Sequence, residues 1–333
     1  MRIFDAHCDT ISKILDENKE LFDNDCHLSI KKMQKGDISL QFFAAWIEPK
    51  YIDKKNFEKQ FKEFPQYTSR IPSEFGAYKR AKSILDKFYT EYEKNREYLQ
   101  LVTTVDDLNS IDKTKKIGAL LTIEGGETIE GNLDHLEQFF ELGVRGMTLT
   151  WNNENEIAFG SGCENSKGLK PFGKQVVKKM NKLGMFIDVS HINEKGFWDV
   201  IELTDTPIIA THSNSFKICN HVRNLTDEQI RALIKTNGFI GINFYPDFLC
   251  SGLAGSSDIL KHIEHMLSLG GENIIGFGAD FDGIDKQPQG FTDCSIFSYI
   301  VDHMFKLGYS EELIQRITHK NLKIYLSKIL SCA

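Results

Sequence analysis

The 333-residue sequence has few of the features that mark secreted, membrane-spanning or nucleic-acid-binding proteins. Its seven cysteines are odd in number, widely scattered and without a Cys-x-x-Cys pair, so we expect free thiols rather than a disulfide framework. The 40 basic residues are outnumbered by 47 acidic ones, and a net charge of -7 argues against nucleic acid as a partner. No apolar run reaches about eighteen residues, so no membrane-spanning helix is predicted.

Signals for targeting and for several domains are also missing. The first residues, MRIFDAHCDT, lack the apolar stretch of a signal peptide, so the expected location is the cytoplasm. There are no Gly/Ser linkers, internal repeats or low-complexity tracts. With 41% hydrophobic residues the chain can bury one large core, and the prediction is a single domain over 1–333.

Eight short apolar runs alternate with amphipathic stretches along the chain. Their near-continuous apolar character is typical of parallel strands that are buried on both faces. The stretches between them have helix signals, such as Asn132 as an N-cap and Gly184 as a helix end. The pattern predicts an α/β fold, a (β/α)8 TIM barrel. The predicted strands are 2–7, 39–47, 118–125, 145–151, 185–191, 207–213, 238–245 and 273–280.

One segment does not follow this alternation. Residues 48–110, between the second and third strands, are too long for one connection and look helical from 76 to 98. We interpret them as an insertion that passes over the barrel rim, either as a lid or as an element of an oligomer interface.

Residues that bind metals or transfer protons come at the ends of five predicted strands. They are His7 and Asp9, Glu124, His191, His212, and Asp280. In a (β/α)8 barrel the carboxyl ends of all strands meet at one mouth, where active sites lie. His7 and Asp9 are two positions apart, so both side chains should face the same side.

The number of these candidates favours two metal ions over one. Three imidazoles with Asp9 and Glu124 exceed the roughly four ligands of a single Zn²⁺. A Glu124 that bridges two divalent ions would use all five residues and leave room for a bridging hydroxide as the nucleophile. Asp280 could then accept the proton of the attacking water and pass it to a leaving amine.

Each residue also has an ordinary structural interpretation. A single histidine at a strand end is more often a hydrogen-bonded structural residue, and Glu124 before two glycines could belong to a turn. For Asp188 and Asp282, capping or turn formation is the preferred interpretation. Cys8 is expected to pack, and Asp5 to support the site. The remaining histidines are expected at the surface, with His221 left open.

Five collinear segments resemble the membrane dipeptidase (renal dipeptidase) family, peptidase family M19, in its soluble bacterial branch. They are DAHCDT (5–10), IEGGETIEGNLDHLEQFFELGVRGMTLTWNNENEIAFG (123–160), GLKPFGKQVVKKMNKLGMFIDVSHINEKGFWDV (168–200), THSNSFKICNHVRNLTDEQI (211–230) and GFGADFDGI (276–284). The resemblance implies a homodimeric (β/α)8 barrel with two metal ions, usually zinc, that hydrolyses dipeptides and tolerates a C-terminal D-residue.

The resemblance also implies roles for individual residues. His7 and Asp9 match the ligands of one metal, His191 and His212 those of the other, and Glu124 matches the carboxylate between them. Asp280 matches the acid of the last strand.

Three residues near these positions are candidates for substrate binding. Arg223 matches the arginine that grips the substrate carboxylate, a role suited to its fork of donors. Asn224 beside it could touch substrate or hold the turn. Trp151 stands where the mammalian enzyme has a histidine, and could be an aromatic wall or part of the core. The alternatives are a related barrel amidohydrolase that acts on N-acyl-D-amino acids or lactones, and a catalytically silent, metal-containing binding protein.

Overall fold

Eight parallel strands form a closed barrel, as predicted, and a ninth strand pairs outside it. The structure, a computed structural model, describes residues 1–48, 76–163 and 167–331. The sheet order is β2-β1-β9-β8-β7-β6-β5-β4-β3, and the pairing of β2 with β4 closes the barrel. The strands are β1 (Ile3–Asp5), β2 (Ile38–Trp46), β3 (Leu99–Leu101), β4 (Ile117–Glu124), β5 (Val144–Thr148), β6 (Phe186–Asp188), β7 (Ile209–Ala210), β8 (Phe239–Ile242) and β9 (Ile275–Phe277).

Helices surround the barrel and connect its strands. The α-helices are α1 (Thr10–Asp16), α2 (Ile30–Lys35), α3 (Ala77–Lys94), α4 (Val105–Thr114), α5 (Leu133–Glu141), α6 (Pro171–Leu183), α7 (Glu194–Leu203), α8 (Asp227–Lys235), α9 (Pro246–Leu249), α10 (Ser256–Ser268), α11 (Phe297–Lys306), α12 (Glu311–Gln315) and α13 (Asn321–Ile329). Two predicted ends are confirmed: the Asn132 side chain accepts from the N–H of Asp134, and Gly184 ends α6 in the left-handed conformation. No helix among these residues is long and apolar enough to cross a membrane.

The interior of the barrel is filled by large side chains that alternate along the strands. On β2, Leu40 and Phe42 belong to an inner cluster with Phe186, whose ring centroid lies 5.5 Å from that of Phe42. Tyr325 of α13 packs against Phe186 at 6.4 Å and closes this end of the interior. Each such buried side chain stabilises the fold by about 1.5–3 kcal/mol.

The segment after β2 differs in part from its interpretation as a rim insertion. Residues 49–75 lie outside the described residues. From Ala77 onward, however, α3 lies in the outer helical layer, where Phe88 is buried against Phe43 of β2 at 5.6 Å. The short strand β3 and the helix α4, which extends past residue 110, were not predicted.

Several strands are shorter than predicted, and Asp188 shows why. Its Oδ1 accepts the backbone N–H groups of Ser190 and Thr211, each at 3.0 Å, which removes these groups from the strand ladder. The strands β6 and β7 therefore end at Asp188 and Ala210. The candidate ligands His191 and His212 follow in irregular chain just beyond the strand ends.

Candidate metal centre and active site

Glu124, the last residue of β4, lies among three histidines at the mouth of the barrel. Its Oε2 lies 3.3 Å from Nε2 of His7. Its Oε1 lies 2.8 Å from Nε2 of His191 and 3.5 Å from Nε2 of His212. All four side chains are buried. The two oxygens of one carboxylate therefore face different imidazoles, the arrangement expected of a carboxylate between two cations.

Two further acids lie near the same nitrogen of His7. The Nε2 atom of His7 is 3.4 Å from Oδ2 of Asp9 and 3.9 Å from Oδ1 of Asp280. Asp9 occupies the N-cap position of α1 but makes no capping hydrogen bond, so its carboxylate is free to face the site. Gly283 leaves room for both acids, because a Cβ at this position would collide with Oδ2 of Asp9 and Oδ1 of Asp280.

Ligand atoms from these residues form two overlapping sets of three, each within 4.8 Å, in the described part of the chain. The first set is His7, Glu124 and His212; the second is His7, Asp9 and Asp280. These sets contain four of the five residues predicted as ligands and the predicted acid Asp280; the fifth, His191, joins them through its contact with Glu124.

The hydrogen bonds behind His212 determine which of its nitrogens carries the proton. The Thr211 hydroxyl lies 2.5 Å from Oδ2 of Asp188, a carboxylate that can only accept, so the hydroxyl donates its hydrogen there. Thr211 Oγ1 must then accept from Nδ1 of His212, at 2.8 Å. His212 Nε2 is left with a bare lone pair that points into the site.

His191 is held in the same state. Its Nδ1 lies 2.8 Å from Oδ1 of Asn152 and donates to that oxygen. Its Nε2 also carries a lone pair, and lies 2.8 Å from Nε2 of His212. Two lone pairs this close repel each other unless a cation or a proton lies between them. The donor set, imidazole nitrogens with carboxylate oxygens, is one that divalent metals bind, so the residues present fit metal ions.

The charges at this centre shift the ionisation of its members. Burial raises the pKa of Glu124, but the charge of the neighbouring His7 acts in the opposite direction, and the pKa lies well below its usual range. Burial raises the pKa of Asp280 to about 6, although His7 and the Asn243 amide, which donates to Oδ2 at 2.9 Å, act in the opposite direction. Asp280 is therefore an acid that can hold or release a proton near neutral pH.

Arg223 supplies positive charge next to the acids. Its guanidinium is buried, donates to the His212 carbonyl oxygen at 3.4 Å, and lies 5.6 Å from the centroid of the Phe248 ring. Among the described residues, its Nε and Nη1 have no hydrogen-bond partner. Burial lowers its pKa to about 10, so it stays charged at neutral pH. Unpaired buried donors of this kind are suited to an anionic group of a ligand.

The turn that carries Arg223 is held by its neighbours. Nδ1 of His221 accepts from the N–H of Arg223 at 3.2 Å. The side-chain amide of Asn224 donates to the carbonyl oxygens of Cys219 and Phe248, both at 2.9 Å. These bonds show that Asn224 holds the turn; its contact with a substrate stays a prediction.

A cavity of about 360 Å³ opens above the carboxylates and His191. Four half-buried aromatic side chains line it: Trp46, Trp151, Tyr245 and Phe248. The centroids of the Trp46 and Trp151 rings are 5.7 Å apart, and those of Tyr245 and Phe248 are 4.8 Å apart. Trp151 therefore lies in the cavity wall, one of the two alternatives that the sequence left open.

The supporting residues behave largely as expected. Asp5 is buried and its Oδ1 accepts the N–H of Ala279 at 2.8 Å, which connects β1 to the chain after β9. Cys8 is buried in the core. Asp282 accepts from the Thr10 hydroxyl at 2.6 Å and from the Lys13 ammonium at 3.1 Å, so it fixes α1 against the last strand.

The expectation that the remaining histidines are surface residues is wrong for His262. Its Nδ1 accepts from the N–H of Ser215 at 3.0 Å, and its Nε2 lies 2.9 Å from the Leu249 carbonyl oxygen. His262 is fully buried because it shares the inward face of α10 with Ile259 and Met266. Both ring nitrogens are occupied, so it is structural.

Sequence reasoning missed several residues of the site. Trp46 has a signal in the sequence, since it follows Leu40 and Phe42 at a period of two and so shares their inward face. Asn152 and Thr211 have no such signal, because their roles depend on hydrogen bonds to His191 and His212 that only the folded chain defines.

Comparison with known proteins agrees with this geometry. The family model of the membrane dipeptidases, peptidase family M19, matches residues 1–329. An uncharacterised dipeptidase of Schizosaccharomyces pombe is 29% identical over 283 residues, which are 83% of this chain and 65% of that protein. This chain thus spans just under two thirds of the length of that relative.

Two solved structures are similar over nearly their whole length. Dipeptidase AC, a metallopeptidase of family M19, has a TM-score of 0.87 and 27% identity, with 100% of this chain and 99% of that chain covered. A metallopeptidase of Rhodobacter sphaeroides, solved with a phosphinate mimic of the dipeptide L-Ala-D-Ala, has a TM-score of 0.87 and 28% identity, with 99% of both chains covered.

The barrel with acids and imidazoles at its mouth defines the class as a metal-dependent hydrolase of the TIM-barrel type. Within that class, the chain belongs to the membrane dipeptidase family, peptidase family M19, and so to the peptidase hydrolases.

Proposed function

We propose that this protein is a dipeptidase that works with two divalent cations at the barrel mouth. The observation that carries the proposal is the Glu124 carboxylate, whose two oxygens face His7 on one side and His191 and His212 on the other. His7 and Asp9 would hold one cation, His191 and His212 the other, and Glu124 would bind both. When bound, the cations would lower the pKa of a water molecule and polarise the scissile carbonyl.

Asp280 is proposed as the group that moves the proton. It lies beside His7 and Asp9, and its burial, which raises the pKa of the carboxyl group, favours its taking up a proton. The Asn243 amide holds Oδ2, which leaves Oδ1 on the side of His7 and Asp9. Asp280 would take the proton from the attacking water and deliver it to the leaving amine.

Arg223 is proposed to bind the free carboxylate of the substrate through its unpaired Nε and Nη1. A cavity of about 360 Å³ is at the small end of ligand pockets, which span roughly 300–1,000 Å³. Together these features favour a dipeptide over a longer chain, because the substrate must place its carboxylate close to the reacting bond.

The proposal also covers the stereochemistry of the substrate, the metal, the oligomeric state and the location of the protein. Tolerance of a C-terminal D-residue is supported by the L-Ala-D-Ala mimic bound to the Rhodobacter sphaeroides relative. Zinc is the proposed metal, since the site offers imidazoles and carboxylates in small number. We also propose that the protein is a single-domain homodimer in the cytoplasm, as expected from the sequence. Size-exclusion chromatography with light scattering would test the dimer.

A hydrolysis panel tests the proposal. Protein loaded with Zn²⁺ is expected to cleave L-Ala-L-Ala and L-Ala-D-Ala, to lose this activity with a chelator, and to leave N-acetyl-D-alanine and simple lactones nearly intact. Preference for the acylated amino acid or the lactone would favour the amidohydrolase alternative. Absence of turnover with every compound would favour the binding protein.

The variant Asp280→Asn tests the assignment of the proton carrier. It should bind both metals and lose about 10²- to 10⁴-fold in kcat, the contribution of a general acid–base group. Near-normal turnover in this variant would show that another residue moves the proton.

A further inference from the structure

Trp46 is an aromatic residue that lies beside the candidate metal centre. It is the last residue of β2, and the pairing of β2 with β4 puts it opposite Glu124. It lies at the same two-residue period as Leu40 and Phe42, which face the inside of the barrel. Its indole therefore extends the inner face of β2 into the mouth, where it lines the cavity.

Trp46 and Trp151 form one continuous apolar surface, the tryptophan wall. Their rings are 5.7 Å apart, and the Trp151 ring lies 6.2 Å from that of His191. The wall thus spans the side of the cavity between the end of β2 and the chain after β5. Both side chains are half-buried and line the cavity.

Trp46 and Arg223 come from opposite sides of the barrel, and Trp151, which follows β5, lies between them. In the closed order of eight strands, β2 and β7 are four strands apart in either direction. Trp46 ends β2, whereas Arg223 follows β7. If Arg223 holds the carboxylate and the metals hold the scissile carbonyl, the amino-terminal residue of a dipeptide must extend away from Arg223, towards β2.

We propose that the tryptophan wall binds the side chain of the amino-terminal residue, and that the enzyme prefers dipeptides with a large apolar or aromatic residue there. The proposal rests on the function proposed above and specifies its substrate class. Aromatic faces bind apolar and aromatic groups well in such a site. In a hydrophobic pocket, one additional methylene group changes kcat/KM by about 10- to 200-fold.

The opposite wall provides a matched control. Tyr245 lies 4.8 Å from Phe248, and the Phe248 ring lies against the Arg223 guanidinium. A substitution of Tyr245 should therefore affect the carboxyl-terminal residue of the substrate. The pair Trp46→Ala and Tyr245→Ala separates the two ends of the dipeptide.

The experiment compares kcat/KM for L-Phe-L-Ala, L-Ala-L-Phe and L-Ala-L-Ala with metal-loaded protein. The wild type should prefer L-Phe-L-Ala to L-Ala-L-Ala by about tenfold or more. Trp46→Ala should remove this preference, and Tyr245→Ala should leave it in place. No preference in the wild type, or an unchanged preference in Trp46→Ala, would overturn the inference. If Trp46→Ala does not fold, Trp46→Leu and Trp151→Leu should each reduce the preference.

Binding provides a readout that does not depend on turnover. Calorimetry would compare two phosphinate dipeptide mimics, with a benzyl or a methyl group at the amino-terminal side chain. The wild type is expected to bind the benzyl compound about tenfold more tightly than the methyl compound. Trp46→Ala should reduce this difference. Equal binding would overturn the inference. If no dipeptide is cleaved, the proposed function fails, and this comparison decides the inference alone.

Discussion

The two ends of the barrel are built on the same strands and have opposite chemistry. On β2 the inner face carries Phe42 in the middle and Trp46 at the mouth. On β4 it carries Leu120 in the middle and Glu124 at the last residue. The interior is therefore filled with apolar side chains, whereas the mouth combines buried acids and imidazoles with aromatic side chains.

Because of this difference, the residues that stabilise the fold are largely distinct from the residues that would bind metal and substrate. Apolar burial at the closed end contributes free energy of folding. At the mouth, buried acids and facing lone pairs oppose folding unless cations are present. Substitutions at the two ends should therefore have separable effects, one on the free energy of unfolding and the other on metal binding and turnover.

The largest effect is expected at the mouth, from Glu124→Gln. The glutamine amide is neutral and has a single oxygen, so residue 124 can no longer bind both cations. Since metal catalysis supplies several kcal/mol, kcat/KM should fall about 10³-fold or more. The measurement is kcat/KM for L-Ala-L-Ala. Glu127→Gln, a nearby buried carboxyl that hydrogen-bonds Asn155 at 3.0 Å, is the matched control and should keep its activity.

Phe186→Ala tests the closed end. Phe186 is fully buried against Phe42 and Tyr325, so its removal should lower the free energy of unfolding by about 3–5 kcal/mol. The check is denaturant unfolding of the metal-free protein. Metal content and kcat of the folded fraction should stay near those of the wild type; their loss would show that the two ends are not separable.

The pH dependence of stability tests Glu127. Burial raises its pKa from 4.5 to about 7, so in the folded state the neutral form is favoured. The contribution of Glu127 to stability should therefore fall by about 3 kcal/mol as the pH rises from 4.5 to 7. Glu127→Gln stays neutral and should be the more stable protein at pH 8 but not at pH 4.5. An advantage that does not change with pH would contradict this account.

Thr211→Val gives the smallest of these effects. The variant loses the hydroxyl that accepts from Nδ1 of His212 and orients its ring. Loss of such a partner weakens metal affinity by about 10- to 100-fold. Competition with a metal-binding dye measures this change. Thr206→Val, which removes a hydroxyl bonded to Asn181 far from the mouth, should leave the affinity unchanged.

The barrel and the candidate ligands could be predicted because their signals are local. Apolar runs indicate buried strands, and the residues at their ends must meet at the mouth. The position of α3 in the helical layer, in contrast, depends on the contact of Phe88 with Phe43, far apart in sequence. The ends of β6 and β7 depend on bonds from Asp188 to the next strand, which no local pattern shows.

Metal content tests most directly whether the Glu124 carboxylate is shared by two cations. Wild-type protein and Glu124→Gln would be loaded with Zn²⁺, dialysed and measured by elemental mass spectrometry. Two equivalents of zinc per chain are expected in the wild type and no more than one in Glu124→Gln. One equivalent in the wild type, or two retained by Glu124→Gln, would contradict this expectation.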